Sequence, residues 1–207
     1  MKHFNLGNVW GRVASVELKK SEGKGTPYIQ IQVECPNDLH GNIKTYGRLW
    51  GQGKIDAFMD FHKKHPGSAF RFRGFFSQYD GEEGMRLSNY TFFEWAASEA
   101  KEFRATFILK GEVTGTESPR GEGKLLLHLV REGQNGHADT IEDFVVYTAT
   151  AEELDGIEAG QIVEVKGVIR PKDREDYFGD TRSPIKPYLK ELKILTETAE
   201  EAVTDPF

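Results

Sequence analysis

The chain repeats one order of elements over two consecutive segments, and this repeat most constrains how it can fold. The segments, about 4–95 and about 104–195, each open with a strand that contains a glycine, Gly11 in the first and Gly111 in the second. A hairpin, two more strands, a short helical stretch and two final strands follow in both. A repeat of about 95 residues is too long for a solenoid unit and has the size of a small domain. It therefore predicts two tandem copies of one fold.

The order strand, strand, strand, helix, strand, strand is typical of the five-stranded OB barrel. In the first copy, alternation places Ile29 and Ile31 on the core side of strand 2, and apolar spacing predicts a helix over Lys54–His65. Glycines at the end of strand 4, Gly74 and Gly167, suit the bends that close a small barrel. We expect an all-β chain of two tandem OB barrels, each with a short helix between its strands 3 and 4.

The repeat also predicts the domain boundaries. The first barrel spans residues 1–97, a linker spans 98–103, the second barrel spans 104–195, and an acidic tail spans 196–207. We expect each barrel to have its own small core. A linker this short predicts that the barrels do not move freely. In the second copy the helix is expected within Ala151–Ala159, over one to two turns.

Composition limits the cellular setting. The single cysteine, Cys35, excludes an intramolecular disulfide framework and is typical of a reducing interior. The sequence has no run of 18 apolar residues and no charged-then-apolar leader, so neither a membrane span nor a signal peptide is predicted. These features favour a cytoplasmic protein without a membrane partner.

The net charge of -6 argues at first against a nucleic-acid partner, but the charges are unevenly distributed. Residues 1–100 carry 13 Lys and Arg against 11 Asp and Glu, whereas residues 101–195 carry 14 against 18. Of the 24 aromatic residues, 16 lie in residues 1–100. The copies therefore share a fold pattern but not a surface chemistry, and the first copy is the better candidate for binding nucleic acid.

Strand 3 of the first copy has an outward row that combines cations and rings. Cations neutralise a nucleic-acid backbone, and exposed rings stack on bases without reading sequence. Outward residues of strands 2 and 4 are expected to widen this surface. An alternative is that the row is only the ordinary polar face of a barrel strand. The predicted nucleic-acid-binding residues are Tyr28, Gln30, Lys44, Tyr46, Arg48, Trp50, Arg71, Arg73 and Tyr79.

The first copy resembles the bacterial-type single-stranded DNA-binding proteins. The resemblance rests on Asn8-Val9-Trp10-Gly11-Arg12-Val13, on the strand 3 row, and on Phe70-Arg71-Phe72-Arg73-Gly74, and it covers most of residues 4–95. It implies a protein that coats single-stranded DNA in replication, recombination or repair. The chain departs from the family pattern in having two barrels and almost no linker; tandem-barrel relatives are bacterial or phage-type.

The C-terminus carries a second likeness to that family, whose members end in an acidic tail closed by a terminal Phe. The tail here contains four acids and no base, and it ends Asp205-Pro206-Phe207. A terminal carboxylate and ring preceded by acids can dock into a basic-rimmed apolar pocket. The resemblance implies that these three residues recruit replication or recombination proteins. The alternative is a frayed tail that happens to end in Phe.

The second copy is the weaker candidate. Its outward strand 3 row reads Asp143, Val145 and Tyr147, so a carboxylate and an aliphatic residue replace the cations. We expect it to bind weakly through a long loop or to mediate assembly, and a homodimer is possible. The residues of that auxiliary loop are Arg170, Lys172, Arg174, Tyr177, Phe178 and Arg182.

Trp10 of the first copy also points outward. It either stacks on a base or lies in a subunit contact, and the contact is favoured.

No residue pattern predicts catalysis, a metal or a cofactor. His62 and His65 lie on a Lys-rich helix without a Cys or acid in ligand spacing, so a solvated surface is favoured over a zinc site. No Ser/His/Asp or Cys/His arrangement can be placed, so an enzyme is not predicted. Two alternatives to single-stranded DNA binding stay open, a scaffold of tandem barrels for a protein complex and an RNA-binding OB protein.

Overall fold

The structure is a computed structural model that describes residues 3–36, 43–80, 86–99, 103–118, 122–131, 140–171 and 185–195. The first half contains β1 (Phe4–Lys20), β2 (Pro27–Cys35), β3 (Ile43–Trp50), α1 (Gln52–Lys64), β4 (Ala69–Asp80) and β5 (Arg86–Ser98). The second half contains β6 (Arg104–Glu117), β7 (Lys124–Arg131), β8 (Thr140–Tyr147), a 3₁₀ turn (Ala151–Leu154), β9 (Ile162–Pro171) and β10 (Ile185–Ile194). The repeated element order is confirmed, and the described chain is mostly β-strand.

In each half the strand pairings return to the strand from which they start. β1 pairs with β2, β2 with β3, β3 with β5, β5 with β4, and β4 with β1. The second half repeats this circuit from β6 through β7, β8, β10 and β9 back to β6. Among the pairings of the described strands, only β3–β5 and β8–β10 are parallel. Alternate residues of each strand therefore point into a shared interior and outward.

The glycines of the opening strands have the same role in both halves. A Cβ added at Gly11 would overlap the carbonyl oxygen of Glu34, and one added at Gly111 would overlap that of His128. Irregular register follows soon after each glycine, between Val13 and Ser15 in β1 and between the equivalent positions of β6. Close backbone approach and a bulge are the devices that bend a strand sharply.

Several boundaries differ from the prediction, among them that of α1, which begins at Gln52 instead of Lys54. Between β8 and β9 a single 3₁₀ turn replaces the expected helix of one to two turns. Gly156, with φ of 78°, follows that turn at once, and a left-handed residue is a common helix stop. β5 continues through Ser98, so the first residue of the expected linker, 98–103, belongs to a strand. β1 continues to Lys20, although the Lys, Gly and Glu residues of Lys19–Gly25 predict a hairpin tip that begins at Lys19.

The two halves are joined by strand pairing. β1 and β6 pair antiparallel from Phe4 opposite Lys110 to Trp10 opposite Arg104. Across this seam the ring centroid of Phe76 lies 5.0 Å from that of Phe107. The buried apolar side chains of both halves form one connected cluster.

Within the part of the chain that the structure describes, no helix is both long enough and apolar enough to cross a membrane.

Candidate nucleic-acid interface

The predicted row on β3 lies on the outer face, side by side with the outward row of β2. Ile43, Thr45, Gly47 and Leu49 are buried, whereas the residues between them are exposed or half-buried. The antiparallel register places Tyr28 opposite Trp50 and Gln30 opposite Arg48. The period of two in these strands thus brings Tyr28, Gln30, Lys44, Tyr46, Arg48 and Trp50 onto one surface, here called the β2–β3 face.

Rings and a guanidinium contact one another at one end of this face. The rings of Tyr28 and Trp50 stack with a centroid distance of 4.5 Å and an interplanar angle of 30°. The Cζ atom of Arg48 lies 5.6 Å from the ring centroid of Tyr28 and 6.0 Å from that of Tyr79. Tyr79 comes from β4 and is exposed. Such a cluster offers π-faces for bases beside a cation for phosphate.

Two further residues of the face were not among the predicted site residues. Lys19 lies opposite Tyr28 in the β1–β2 register and donates a hydrogen bond from Nζ to Gln30 Oε1 at 3.1 Å. Gln32 donates from Nε2 to the Tyr46 hydroxyl at 2.9 Å. The alternation of strand 2 placed Gln32 outward, whereas Lys19 could be found only by extending strand 1 beyond its apolar stretch.

Lys44 is the cation at the other end of the β3 row. Its Nζ lies 3.4 Å from Glu34 Oε1, with side-chain exposures of 47% and 33%. Ion pairs this exposed contribute little to stability and exchange readily with solvent ions or ligands. Lys44 is therefore accessible to an anionic ligand, although the pair reduces the local positive charge.

Arg71 and Arg73 do not extend the β3 row directly. Widening the row through strand 4 assumes that this strand neighbours β3, and that assumption is wrong because β5 lies between β3 and β4 in the sheet order. Both guanidiniums pair with Glu94 of β5, at 3.3 Å from Arg71 and 3.0 Å from Arg73. They form a separate outer surface with a shared carboxylate.

The cysteine under this face, Cys35, is buried. Burial in the core raises the pKa of the Cys35 thiol to about 12, so it stays protonated. Within the described ranges, no group of three or more His, Cys, Asp or Glu is placed to hold a metal ion. The site consists of rings, cations and amides.

The second half presents a different arrangement at the equivalent place. Asp143 lies opposite His128, with 3.0 Å between its Oδ1 and the His Nδ1 atom. Beside Tyr147, the Lys186 Nζ lies 4.6 Å from the ring centroid and Tyr188 stands at 6.1 Å. Lys186 and Tyr188 come from β10, and sequence reasoning did not select them.

Most of the predicted auxiliary loop lies outside the described residues, namely Lys172, Arg174, Tyr177, Phe178 and Arg182. Arg170 is described at the end of β9, where its Cζ lies 5.4 Å from the ring centroid of Tyr188. The tail residues Asp205, Pro206 and Phe207 also lie outside the described part.

Comparison with solved structures gives full-length matches. The wild-type single-stranded DNA binding protein from Thermus aquaticus matches with a TM-score of 0.63 and 16% identity, covering 98% of this chain and 98% of that chain. A deletion mutant of that protein matches with a TM-score of 0.58 and 14% identity, covering 95% and 96%. No family model matches the sequence, and no curated protein matches it. The chain therefore shares the fold of these structures across its whole length.

Proposed function

We propose that this chain binds single-stranded DNA without strong sequence preference, through the β2–β3 face. The observation that carries the proposal is the stacked pair of Tyr28 and Trp50 with the Arg48 guanidinium beside it. Rings in this position stack on any base, and the cations neutralise phosphates. The structural similarity to a protein named for single-stranded DNA binding supports the choice of ligand.

The proposal includes the architecture that presents this face. Each closed circuit of five strands is taken as an OB barrel, and α1 lies between strands 3 and 4 of the first. The outer face of strands 2 and 3 is a usual oligonucleotide surface of that fold. In this account the second barrel is a weaker, auxiliary contact because Asp143 and Val145 stand where the first has Tyr46 and Arg48. Its loop from Arg170 supplies further cations.

The direct test is a titration of fluorescently labelled oligo-dT, with binding followed by anisotropy over a range of salt. The logarithm of the affinity should fall with the logarithm of salt concentration by about 0.7 for each phosphate contacted. A matched RNA strand serves as competitor, because an RNA-binding OB protein would prefer the strand with the 2′-hydroxyl. No binding to either strand at moderate salt would overturn the proposal and favour a protein scaffold.

We further propose that Asp205, Pro206 and Phe207 recruit partner proteins of replication, recombination or repair. The support is chemical, since four acids can steer the tail towards a basic-rimmed pocket and a terminal ring can anchor there. Deleting the three residues should leave DNA affinity unchanged and abolish capture of such a partner. Loss of DNA binding in the deletion variant would contradict this role.

Three associated properties stay predictions, a binding rather than a catalytic role, a cytoplasmic location and self-association as a homodimer. The last is measured most simply as the molar mass in solution. A value of about twice the 23.4 kDa of the chain would support the dimer.

A further inference from the structure

A second surface of rings and cations lies where β1 pairs with both β4 and β6. Its members are Trp10, Arg12, Arg71, Arg73 and Arg104, here called the seam patch. Trp10 stands opposite Arg71 in the β1–β4 register and opposite Arg104 in the β1–β6 register. These three side chains therefore form one row across three adjacent strands, at spacings of about 5 Å.

The contacts within the patch resemble those of the β2–β3 face. The Cζ atom of Arg104 lies 4.9 Å from the ring centroid of Trp10. Arg12 is the next outward residue of β1, and its Cζ lies 5.6 Å from the ring centroid of Phe103. Arg12 and Arg104 are both exposed. A guanidinium on a ring is held in place while its other face and its N–H donors stay accessible to a ligand.

The charge of the patch points to an anionic ligand. Of its four arginines, Arg71 and Arg73 pair with one carboxylate, that of Glu94. Arg12 lies opposite Glu34, whose carboxylate pairs with Lys44. This local excess of cations occurs in a chain whose net charge is -6. Arginine forks bind both phosphate and carboxylate groups. The indole ring beside them favours a nucleic acid over an acidic peptide, because it adds a stacking surface that a carboxylate does not use.

The patch continues from the end of the β2–β3 face. Arg12 stands opposite Glu34 on β2, and Glu34 stands opposite Lys44 on β3. Arg12 and Lys44 are therefore two strands apart, or about 10 Å. The cations of the two surfaces thus follow one another from Arg48 through Lys44 and Arg12 to Arg104.

We infer that a single strand bound along β3 from Trp50 to Lys44 continues over Arg12 onto Trp10 and Arg104, across the seam between the halves. The inference rests on the proposed function and extends it, since it assigns the seam patch to the longer part of the ligand. A short oligonucleotide fills the β2–β3 face alone, whereas a longer one reaches both surfaces. The contribution of the patch should therefore depend on ligand length.

The test compares oligo-dT of about 8 nucleotides, which is within the range of about 4–16 nucleotides covered by one OB fold, with oligo-dT of about 30 nucleotides, which exceeds it. The Arg12→Gln plus Arg104→Gln variant should bind the longer strand about tenfold more weakly. Its salt slope for that strand should be less steep by about 1.4, which corresponds to two lost phosphate contacts. Its affinity for the shorter strand should stay within about twofold of the wild-type value, because the β2–β3 face is unchanged.

The matched control is Lys190→Gln plus Lys193→Gln, which removes two exposed charges from β10 and should affect neither strand. The inference is overturned if the double-arginine variant binds both lengths normally or loses both equally. It is also overturned if the variant keeps its DNA affinity but changes its molar mass, which would place Trp10 and Arg104 in a subunit contact. The inference is overturned as well if the double-arginine variant keeps its DNA affinity and loses only its binding to a synthetic peptide of residues 196–207. That result would assign the patch to an acidic peptide. If the wild type binds neither strand, the proposed function itself has failed.

Discussion

Individual side chains of the β2–β3 face hold one another in position before any ligand arrives. Tyr28 and Trp50 stack, and Arg48 lies near both Tyr28 and Tyr79. Ordering rotamer-rich side chains on binding costs about 0.5–1.5 kcal/mol each, so contacts already made in the free protein reduce that cost. Glu94 acts in the opposite direction for Arg71 and Arg73, because a ligand must compete with its carboxylate.

Cys35 gives a prediction at the scale of one residue. Burial raises the pKa of its thiol from 9.0 to about 12, so the folded protein should not react with a thiol reagent at pH 8, whereas the urea-unfolded chain should react at once. The unfolded state releases this proton near pH 9 and the folded state only near 12. The resulting contribution to stability is therefore present below pH 9 and is lost as pH rises towards 12.

The measurement is the rate of thiol modification with and without urea, followed by urea midpoints between pH 8 and 10. The midpoint of a Cys35→Ala variant should change less over that interval, because it lacks the titrating thiol. Rapid modification of the folded protein at pH 8 would show that the thiol is accessible.

Sequence reasoning identified most of the face because alternation is a local signal. Ile29 and Ile31 fix the parity of strand 2, and that parity fixes which side chains of β2 point outward. The ion pairs of Arg71 and Arg73 with Glu94 were not predicted, because they depend on which strands are neighbours. Lys19 was missed because its part of β1 has few apolar residues to mark the period.

At the scale of elements, the glycine in the middle of β3 allows the strand to pass over the core. A Cβ at Gly47 would overlap the ring of Phe92, which is buried. The strand can therefore carry Tyr46 and Arg48 outward only with a residue that leaves this space empty. Pattern alone does not show this requirement, because Phe92 lies on β5, which pairs in parallel with β3.

We predict that Gly47→Ala lowers the free energy of unfolding by about 2–3 kcal/mol, because overpacking displaces a well-packed ring. Urea unfolding followed by circular dichroism measures the change. Gly53→Ala is the matched control, since a Cβ there meets nothing within 4 Å on α1 and alanine favours helix. It should be neutral or stabilising by up to about 1 kcal/mol. Equal effects at both positions would contradict this account of β3.

The side-chain amide of Gln78, on β4, links the two halves by hydrogen bonding to the backbone of β8. Its Oε1 accepts from the Val145 N–H at 2.7 Å, and its Nε2 donates to the Val145 carbonyl at 3.0 Å. Gln78→Ala should lower the free energy of unfolding by about 2 kcal/mol, because two backbone groups of β8 lose partners. Gln52→Ala, at an exposed site on α1, should cost less than about 0.5 kcal/mol in the same chemical denaturation series. No difference between the variants would contradict a structural role for this contact.

The repeat predicted the element order, but two aspects of the arrangement became evident only from the structure. The β1–β6 pairing depends on which edges meet, and the local sequence of neither strand specifies its partner. The second helix was overestimated because Leu154 is the only buried residue of a short turn that Gly156 then ends. The sequence located the interiors of strands with clear alternation accurately, whereas it located the ends of elements and the turns less accurately.

At the scale of the whole molecule, one fold carries two outer surfaces of rings and cations, the β2–β3 face and the seam patch. The continuous core and the β1–β6 pairing fix the halves to each other, so the β2–β3 face and the seam patch keep a constant separation. The net charge of -6 therefore does not argue against the proposed binding, because the described cations of the β2–β3 face and the seam patch are grouped locally. The two copies differ in composition, and this can be seen in the sequence, but the seam patch depends on a strand pairing that the sequence did not reveal.

The central claim is that the β2–β3 face of the first half binds single-stranded DNA, and matched variants in the two halves test it most directly. The first variant is Arg48→Ala plus Trp50→Ala. The second is Val145→Ala plus Tyr147→Ala, which changes the aligned positions of the second half. Anisotropy titrations with labelled oligo-dT at moderate salt should show a loss of at least about tenfold for the first, since stacking alone is worth about 1–3 kcal/mol per base. The second should lose less than about threefold. Unchanged affinity in the Arg48→Ala plus Trp50→Ala variant, with its fold intact by circular dichroism, would contradict the account.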